Sequence, residues 1–211
     1  MLPSDRAWAK IDLDAIRHNL DICHKMSPSQ ELWPILKANA YGHGAIECAK
    51  VCEEFGVEGI GVGDSREALE LRKAKIETPL FILGTAIDSE IPLLLKHNVA
   101  VGIHSEIRVH DLNKICHSFQ KPLDVHLNID TGMGRLGVLP EALPRIANAL
   151  KNSPNLNLKG VMSHIANTSD SKNEFTTYQK KVFKQSISTL HRLLPNANFK
   201  SHISNSIDLL S

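Results

Sequence analysis

Short apolar segments alternate with amphipathic helical segments along almost the whole chain of 211 residues. The apolar segments have the length and composition of buried strands, and the segments between them carry apolar residues at helical spacing. This alternation implies a parallel sheet, which is either an open doubly wound sheet or a (β/α)8 barrel. The predicted strands cover residues 33–36, 58–63, 79–83, 99–103, 123–129, 158–162 and 199–203.

The barrel is the favoured α/β architecture. No GxGxxG motif opens the first strand-to-helix turn, so the most characteristic sequence motif of the dinucleotide-binding fold is missing. Polar residues suited to chemistry instead follow several different strands, as they do at the carboxyl-terminal face of a barrel. The barrel is incomplete, because seven strands can be identified and the eighth is not accounted for. We predict one domain over 1–211, with a strand at 7–13 and a helix capped by Asp14 before the barrel, and a later helix capped by Ser65.

Charge and composition exclude several classes of partner. The formal net charge is +1, and the charged residues are interspersed, so neither nucleic acid nor a membrane surface is an expected partner. No apolar run approaches the ~20 residues that span a bilayer, and the start lacks an apolar signal core, so we expect a cytoplasmic protein. The four cysteines form no CxxC pair, so we expect no disulfide framework and no metal site. The expected partner is a small molecule.

Lys37 falls at the carboxyl end of the first predicted barrel strand, before a turn that contains Gly42 and Gly44. Burial lowers the pKa of an amine and makes it both a nucleophile for carbonyl groups and a base. The functional interpretation is therefore a Schiff-base lysine. The structural alternative is a lysine whose ammonium group reaches the solvent at a strand end, which is common for this residue type.

Three later segments place polar residues after strands. Arg135 lies in a glycine-rich loop, where it would ordinarily be a solvated arginine, and His164 follows the sixth predicted strand, where it would ordinarily be a structural residue. Asn205 and Ser206 follow the seventh strand. Short polar residues there suit either a turn or the phosphate site that barrels commonly form at this face.

Four motifs in these segments resemble those of the bacterial alanine racemases. Lys37-Ala-Asn-Ala-Tyr-Gly-His43 agrees with the cofactor-lysine motif V-x-K-A-N-A-Y-G-H-G, and residues 130–137 agree with the family's D-T-G-M-G-R-L-G loop. Residues 163–166 are similar to a T-H-F-A-like motif, and residues 202–206 to H-x-A-N-S. The resemblance covers nearly all of the chain. Family members are markedly longer, so the expectation is an N-terminal barrel portion without the C-terminal β domain.

The resemblance assigns a cofactor to this barrel. It implies that Lys37 holds pyridoxal 5′-phosphate (PLP) as an internal aldimine and that His164 lies near the pyridine ring. It also implies that the Tyr41 hydroxyl and Ser206 contact the phosphate group, and that the adjacent Asn205 is a further cofactor-binding residue.

The same resemblance gives Arg135 a role toward both cofactor and substrate, because the family's arginine approaches the phenolic oxygen of PLP and the substrate carboxylate. A planar guanidinium suits both groups of oxygens. Many family members carry a carbamylated lysine that steadies this arginine. Asn128 stands at that position here and cannot form the carbamate.

The activity implied by the resemblance is interconversion of L-alanine and D-alanine for peptidoglycan, in a homodimer whose sites take residues from both subunits. The family's second catalytic base is a tyrosine of the partner subunit, outside the matched region. Three alternatives stay open at this point. The chain could be a racemase of another small amino acid, a non-catalytic PLP-binding single-barrel protein, or an inactive truncated fragment.

Overall fold

A six-stranded parallel sheet forms the centre of the protein in the computed structural model, which describes residues 7–166 and 174–209. The strands lie side by side in the same order as they occur in the sequence. An open doubly wound sheet reverses its strand order at one point, whereas a barrel does not, so this order confirms the barrel type. The strands are β1 (Ile60–Val62), β2 (Leu80–Ile82), β3 (Val99–Ile103), β4 (Leu123–Asn128), β5 (Leu156–Met162) and β6 (Lys200–His202).

Helices connect successive strands and cover the outer face of the sheet. Within the described ranges, no helix is both long enough and apolar enough to cross a membrane. Short 3-10 turns at Asp88–Glu90 and Pro140–Ala142 precede two of the helices. The helices are α1 (Leu13–Met26), α2 (Lys37–Tyr41), α3 (Ala45–Phe55), α4 (Ser65–Lys73), α5 (Ile91–Lys96), α6 (Glu106–Ser118), α7 (Leu143–Lys151), α8 (Glu174–Leu193) and α9 (Ser206–Leu209).

The beginning of the chain differs from the sequence prediction. Residues 7–12 form no strand, and no described segment pairs with them, so alternating polarity alone does not make a strand here. Trp8 is 79% exposed, which agrees with the lack of a sheet partner. The cap of α1 is Asp12, whose side chain accepts bonds from two backbone N–H groups of the first turn, and the predicted cap Asp14 lies inside the helix. The cap of α4 is likewise Asp64 and not Ser65.

The first predicted barrel strand is reduced to a parallel bridge between Ile35 and Gly61. Leu36 N–H donates to the carbonyl oxygen of Gly61 at 2.8 Å, and Gly61 N–H donates to the carbonyl oxygen of Pro34 at 2.9 Å. These bonds still add the segment to the β1 edge of the sheet, as a seventh member. At the opposite edge, Glu31 forms an ion pair of 2.7 Å with Lys200 of β6. The curled sheet is therefore an incomplete barrel, and this ion pair spans its open side.

The two faces of the sheet carry different residues. Outward side chains such as Ile82, Val101 and Leu127 are fully buried and belong to one continuous core with the helices. The inward face holds a smaller cluster of Phe81, Ala100 and Met162 with the partly buried Trp33 and Leu83. Strand residues alternate between these faces with a period of two, so burial on both faces explains the continuous apolar runs in the sequence.

Two histidines lie inside the barrel beside this inward cluster. His126 of β4 stacks on Phe81 with 4.1 Å between ring centroids, and it contacts His202 of β6. Gly160 of β5 makes room for this arrangement, since a Cβ at that position would lie 2.2 Å from His126 Nδ1. The register of β4 against β5 shifts between Val125 and His126, at the same level.

Candidate active site

The short element α2 is not an ordinary right-handed helix, because its backbone after Lys37 turns in the left-handed direction. Ala38, Asn39, Ala40 and Tyr41 have φ angles of 51°, 55°, 53° and 55°, and none of them is glycine. Each such residue costs roughly 1–2 kcal/mol relative to right-handed backbone, so a run of four must be held by its surroundings. The sequence predicted a glycine-containing turn before α3. The left-handed segment begins earlier, at residues whose side chains give no local sign of it.

Three contacts hold this left-handed turn. Glu67 of α4 accepts bonds from Ala38 N–H and Gly63 N–H, each at 2.6 Å, and so connects the turn to the end of β1. The Asn39 side-chain oxygen accepts a bond of 2.7 Å from Ala45 N–H, the first residue of α3. The backbone next to Lys37 is thus held by Glu67 of α4 on one side and by the start of α3 on the other.

The Lys37 side chain is half-buried at the mouth of the barrel. Its Nζ lies 5.9 Å from the centroid of the Tyr41 ring, in the range of a weak cation–π contact. Tyr41 itself is 62% exposed. The amine is therefore accessible to a ligand in the barrel mouth, as a nucleophile or proton-transfer group requires.

The loop after β4 brings Arg135 to the same mouth. Asp130 Oδ1 accepts bonds from Gly132 N–H at 2.9 Å and Gly134 N–H at 3.1 Å, which closes the loop on itself. The two ends of the loop are joined by a hydrogen bond of 2.9 Å from Val138 N–H to the carbonyl oxygen of Asn128. Arg135 is exposed at the far end of this fixed loop.

His164 follows β5 and lies near both cationic side chains. Burial lowers the pKa of His164 below its ordinary value, and the positive charges of Arg135 and Lys37 lower it further. The neutral form of the imidazole is therefore favoured at pH 7, and it can donate one hydrogen bond and accept another without carrying charge.

Asn205 and Ser206 lie where β6 leads into α9. The Asn205 side-chain oxygen accepts a bond of 3.1 Å from Asp208 N–H, which caps this short helix. The side-chain oxygen of Asn205 thus has a structural role, as expected if this residue belongs to a turn. Ser206 is exposed to the cavity mouth and can donate its hydroxyl to a ligand.

All six predicted site residues line one cavity. Its volume is about 1710 Å³, larger than the ~300–1,000 Å³ typical of ligand pockets, because it continues along the open side of the barrel. Asn128 and Leu83 also line it. The predicted residues that the structure brings together are Lys37, Tyr41, Arg135, His164, Asn205 and Ser206.

The cavity suits an aromatic aldehyde that carries a phosphate. It offers an accessible amine, a guanidinium, two hydroxyl groups and a neutral imidazole around an apolar wall that includes Leu83. The amine matches the aldehyde of PLP, the guanidinium and the hydroxyl groups match its anionic oxygens, and the imidazole matches its ring. In the part of the chain that the structure describes, no group of three or more His, Cys, Asp or Glu residues could hold a metal ion.

Sequence reasoning missed two residues that support the site. Glu67 holds the backbone beside Lys37, and Gln179 of α8 contacts the segment that carries His164. The sequence gives no functional signal at Glu67, because an acidic residue in the first turn of a helix is explained by the helix dipole. Gln179 could have been suspected only because it is a polar residue among the apolar positions of its helix.

Comparison with known proteins gives one consistent result. Residues 11–211 match the family described as "Alanine racemase, N-terminal domain". The chain is 35% identical over 191 residues to the alanine racemase of Methanococcus maripaludis, covering 90% of this chain and 50% of that protein. It is 37% identical over 188 residues to that of Treponema denticola, covering 87% and 50%. The chain thus spans about half the length of the curated relatives that it matches.

Solved structures give the same answer. The alanine racemase of Clostridium difficile 630 superimposes with a TM-score of 0.91 at 29% identity, covering 99% of this chain and 58% of that one. The Bacillus anthracis alanine racemase with bound L-Ala-P gives a TM-score of 0.87 at 30% identity, covering 95% and 52%. The fold and the order of its elements are shared with these enzymes.

Proposed function

The chain belongs to the alanine racemase N-terminal domain family, and from this premise we propose that it is the cofactor-binding barrel of a PLP-dependent racemase of alanine. The observation that carries the proposal is that six residues from four separate segments line one cavity, in which the charges of Arg135 and Lys37 act on His164. Interconversion of L-alanine and D-alanine would supply D-alanine for peptidoglycan.

PLP, when bound, supplies an electron sink that makes the Cα proton of an amino acid removable. Lys37 would hold it covalently, and the Tyr41 and Ser206 hydroxyls would donate hydrogen bonds to its phosphate group. Asn205 would support the phosphate site by fixing the turn at Ser206. His164 would orient the pyridine ring as a neutral group, in agreement with its lowered pKa.

Arg135 would bind the substrate carboxylate. Its guanidinium can donate two parallel hydrogen bonds to a carboxylate, which fixes the direction of the Cα–H bond. The L-Ala-P ligand of the Bacillus anthracis relative supports an alanine-like substrate for this barrel.

Lys37 can transfer a proton at only one face of the substrate Cα. Racemisation removes a proton from one face and returns one to the other, so it needs a second acid–base group. Among the described residues the tyrosines are Tyr41, assigned to phosphate, and Tyr178, exposed on α8. In the family that the chain resembles, the second base is a tyrosine of the partner subunit, and on this ground we propose that a partner chain supplies the second group and that the active form is a homodimer.

We also propose a cytoplasmic location. The four cysteines are free thiols, as is usual in a reducing compartment.

Reductive trapping tests the assignment of Lys37. The chain is incubated with PLP, reduced with borohydride and digested, and the modified peptide is identified by mass spectrometry. We expect the pyridoxyl group on Lys37, no such product in Lys37→Ala, and an unchanged yield in Lys73→Ala, which removes an exposed lysine of α4. Modification of a different lysine, or of none, would contradict the proposal.

Exchange of the alanine α-proton with deuterated solvent tests the substrate assignment. Because Lys37 serves only one face of Cα, the PLP-loaded chain should exchange the α-proton of one enantiomer of alanine faster than that of the other, and Lys37→Ala should exchange neither. Absence of exchange in a chain that carries PLP on Lys37 would mean that the barrel binds the cofactor for another purpose.

A further inference from the structure

Gln179 is a completely buried amide in the second turn of α8, with an exposed fraction of 0%. Its Nε2 donates to the carbonyl oxygen of His164 at 2.9 Å and to Thr131 Oγ1 at 3.1 Å. Its Oε1 accepts a bond of 2.9 Å from Ala166 N–H. The side chain thus uses both of its N–H groups and its oxygen on two segments outside its own helix.

The network continues beyond Gln179. Thr131 Oγ1 also lies 2.8 Å from Ser163 Oγ, and the exposed fractions of Thr131 and Ser163 are 3% and 4%. A buried amide is costly unless its hydrogen bonds are made, and here they are made. The three side chains therefore form a satisfied polar network between α8, the loop after β4 and the segment after β5.

Each end of this network lies next to a proposed site residue. The bonds to His164 O and Ala166 N–H fix the backbone on both sides of Ile165, and so fix the position from which the His164 side chain reaches the cavity. Thr131 belongs to the loop that carries Arg135, four residues farther along. One buried amide thus joins the supports of the imidazole and the guanidinium.

We propose that Gln179 is a positioning residue, which holds His164 and the Arg135 loop at a fixed distance from each other and from Lys37. The inference rests on the proposed function for its consequence, because the positioned groups are those assigned to PLP and substrate. Its structural part concerns only this chain's own residues. Gln179 itself touches neither ligand.

The test replaces Gln179 with methionine, which has a similar volume but cannot make these bonds. Gln185→Met is the matched control, because Gln185 is exposed on the same helix. The first readout is the NMR titration of His164 in the chain without ligand, assigned by comparison with His164→Gln. The second readout is the dissociation constant for PLP.

We expect the pKa of His164 to move up toward its ordinary value in Gln179→Met, because a displaced ring is better hydrated and farther from Arg135 and Lys37. PLP binding should weaken roughly ten-fold or more, because groups that orient the cofactor lose their fixed positions. Gln185→Met should leave both readouts unchanged. Circular dichroism checks that each variant folds.

Thr131→Val provides a second route if Gln179→Met does not fold. It keeps the shape of the side chain and removes the hydroxyl that Gln179 and Ser163 share, and we expect a smaller shift of the His164 titration in the same direction. An unchanged His164 titration in the folded variants overturns the proposal, as does unchanged PLP binding. If the unmodified chain does not bind PLP, the proposed function fails, and the titration alone decides the role of Gln179.

Discussion

His126 and His202 meet inside the barrel with 3.1 Å between Nδ1 of His126 and Nε2 of His202. The rings share one hydrogen bond between neutral imidazoles, beside Phe81 and Trp33. Burial lowers the pKa of His126 to about 3 and the pKa of His202 to about 4. Neither ring can therefore become charged at neutral pH without losing the environment that surrounds it.

This pair predicts that the protein loses stability in weak acid. Both folded-state pKa values lie below the ordinary value of 6.5, so the unfolded chain binds protons first as the pH falls. The stabilising contribution is complete above pH 6.5 and is lost as the pH falls through the folded values. We expect the free energy of unfolding from urea titrations to decrease between pH 6.5 and pH 4.

A substitution separates this effect from the titration of carboxylates. His126→Leu should lower stability at pH 7, since it leaves His202 without its partner, but it should reduce the slope of stability against pH. His117→Gln, which changes an exposed histidine of α6, should keep the original slope. Equal slopes in all three proteins would show that the buried pair does not control the acid response.

A second prediction concerns Glu67 and the left-handed turn. Glu67→Gln replaces one acceptor oxygen with an NH2 group that would face a backbone N–H of Ala38 or Gly63. We expect the free energy of unfolding to fall by about 1.5 to 3 kcal/mol, the range for hydrogen bonds to a charged group. Reductive trapping of PLP on Lys37 should also become slower.

The control for this prediction is Glu70→Gln, an exposed change on the same helix that should alter stability by under ~0.5 kcal/mol. If Glu67→Gln unfolds at the same urea concentration as the unmodified chain and traps PLP at the same rate, the turn does not depend on this carboxylate.

A third prediction separates binding from folding at Arg135. Arg135→Lys keeps the positive charge and loses the two-pronged geometry of the guanidinium. Because Arg135 is exposed, stability should change by under ~0.5 kcal/mol, whereas alanine should bind more weakly to the PLP-loaded chain. Isothermal titration measures the affinity, and unchanged alanine binding would remove Arg135 from the substrate site.

Strand and helix positions could be predicted from the sequence because they follow from local periodicity. The prediction was exact for β3 and within about two residues for most other strands, since each strand is an apolar run that is buried on both faces. It was wrong for residues 7–12, where the alternating pattern has no described neighbour to pair with, and a strand cannot be stable alone. The segment before Lys37 forms only the bridge at Ile35.

The candidate site residues were predicted from their motifs and from their positions after strands. Their convergence follows from the parallel sheet, which brings the carboxyl ends of its strands to one face. The contacts that hold these residues in place could not be predicted from motifs or strand positions. Glu67 lies 29 residues from Ala38, and Gln179 lies 48 residues from Thr131.

The sequence by itself determined which chemical groups are present and near which strand ends, because those depend on neighbours along the chain. Tertiary structure alone decided the left-handed turn, the buried histidine pair and the Gln179 network, because each is stabilised by groups that only folding brings together.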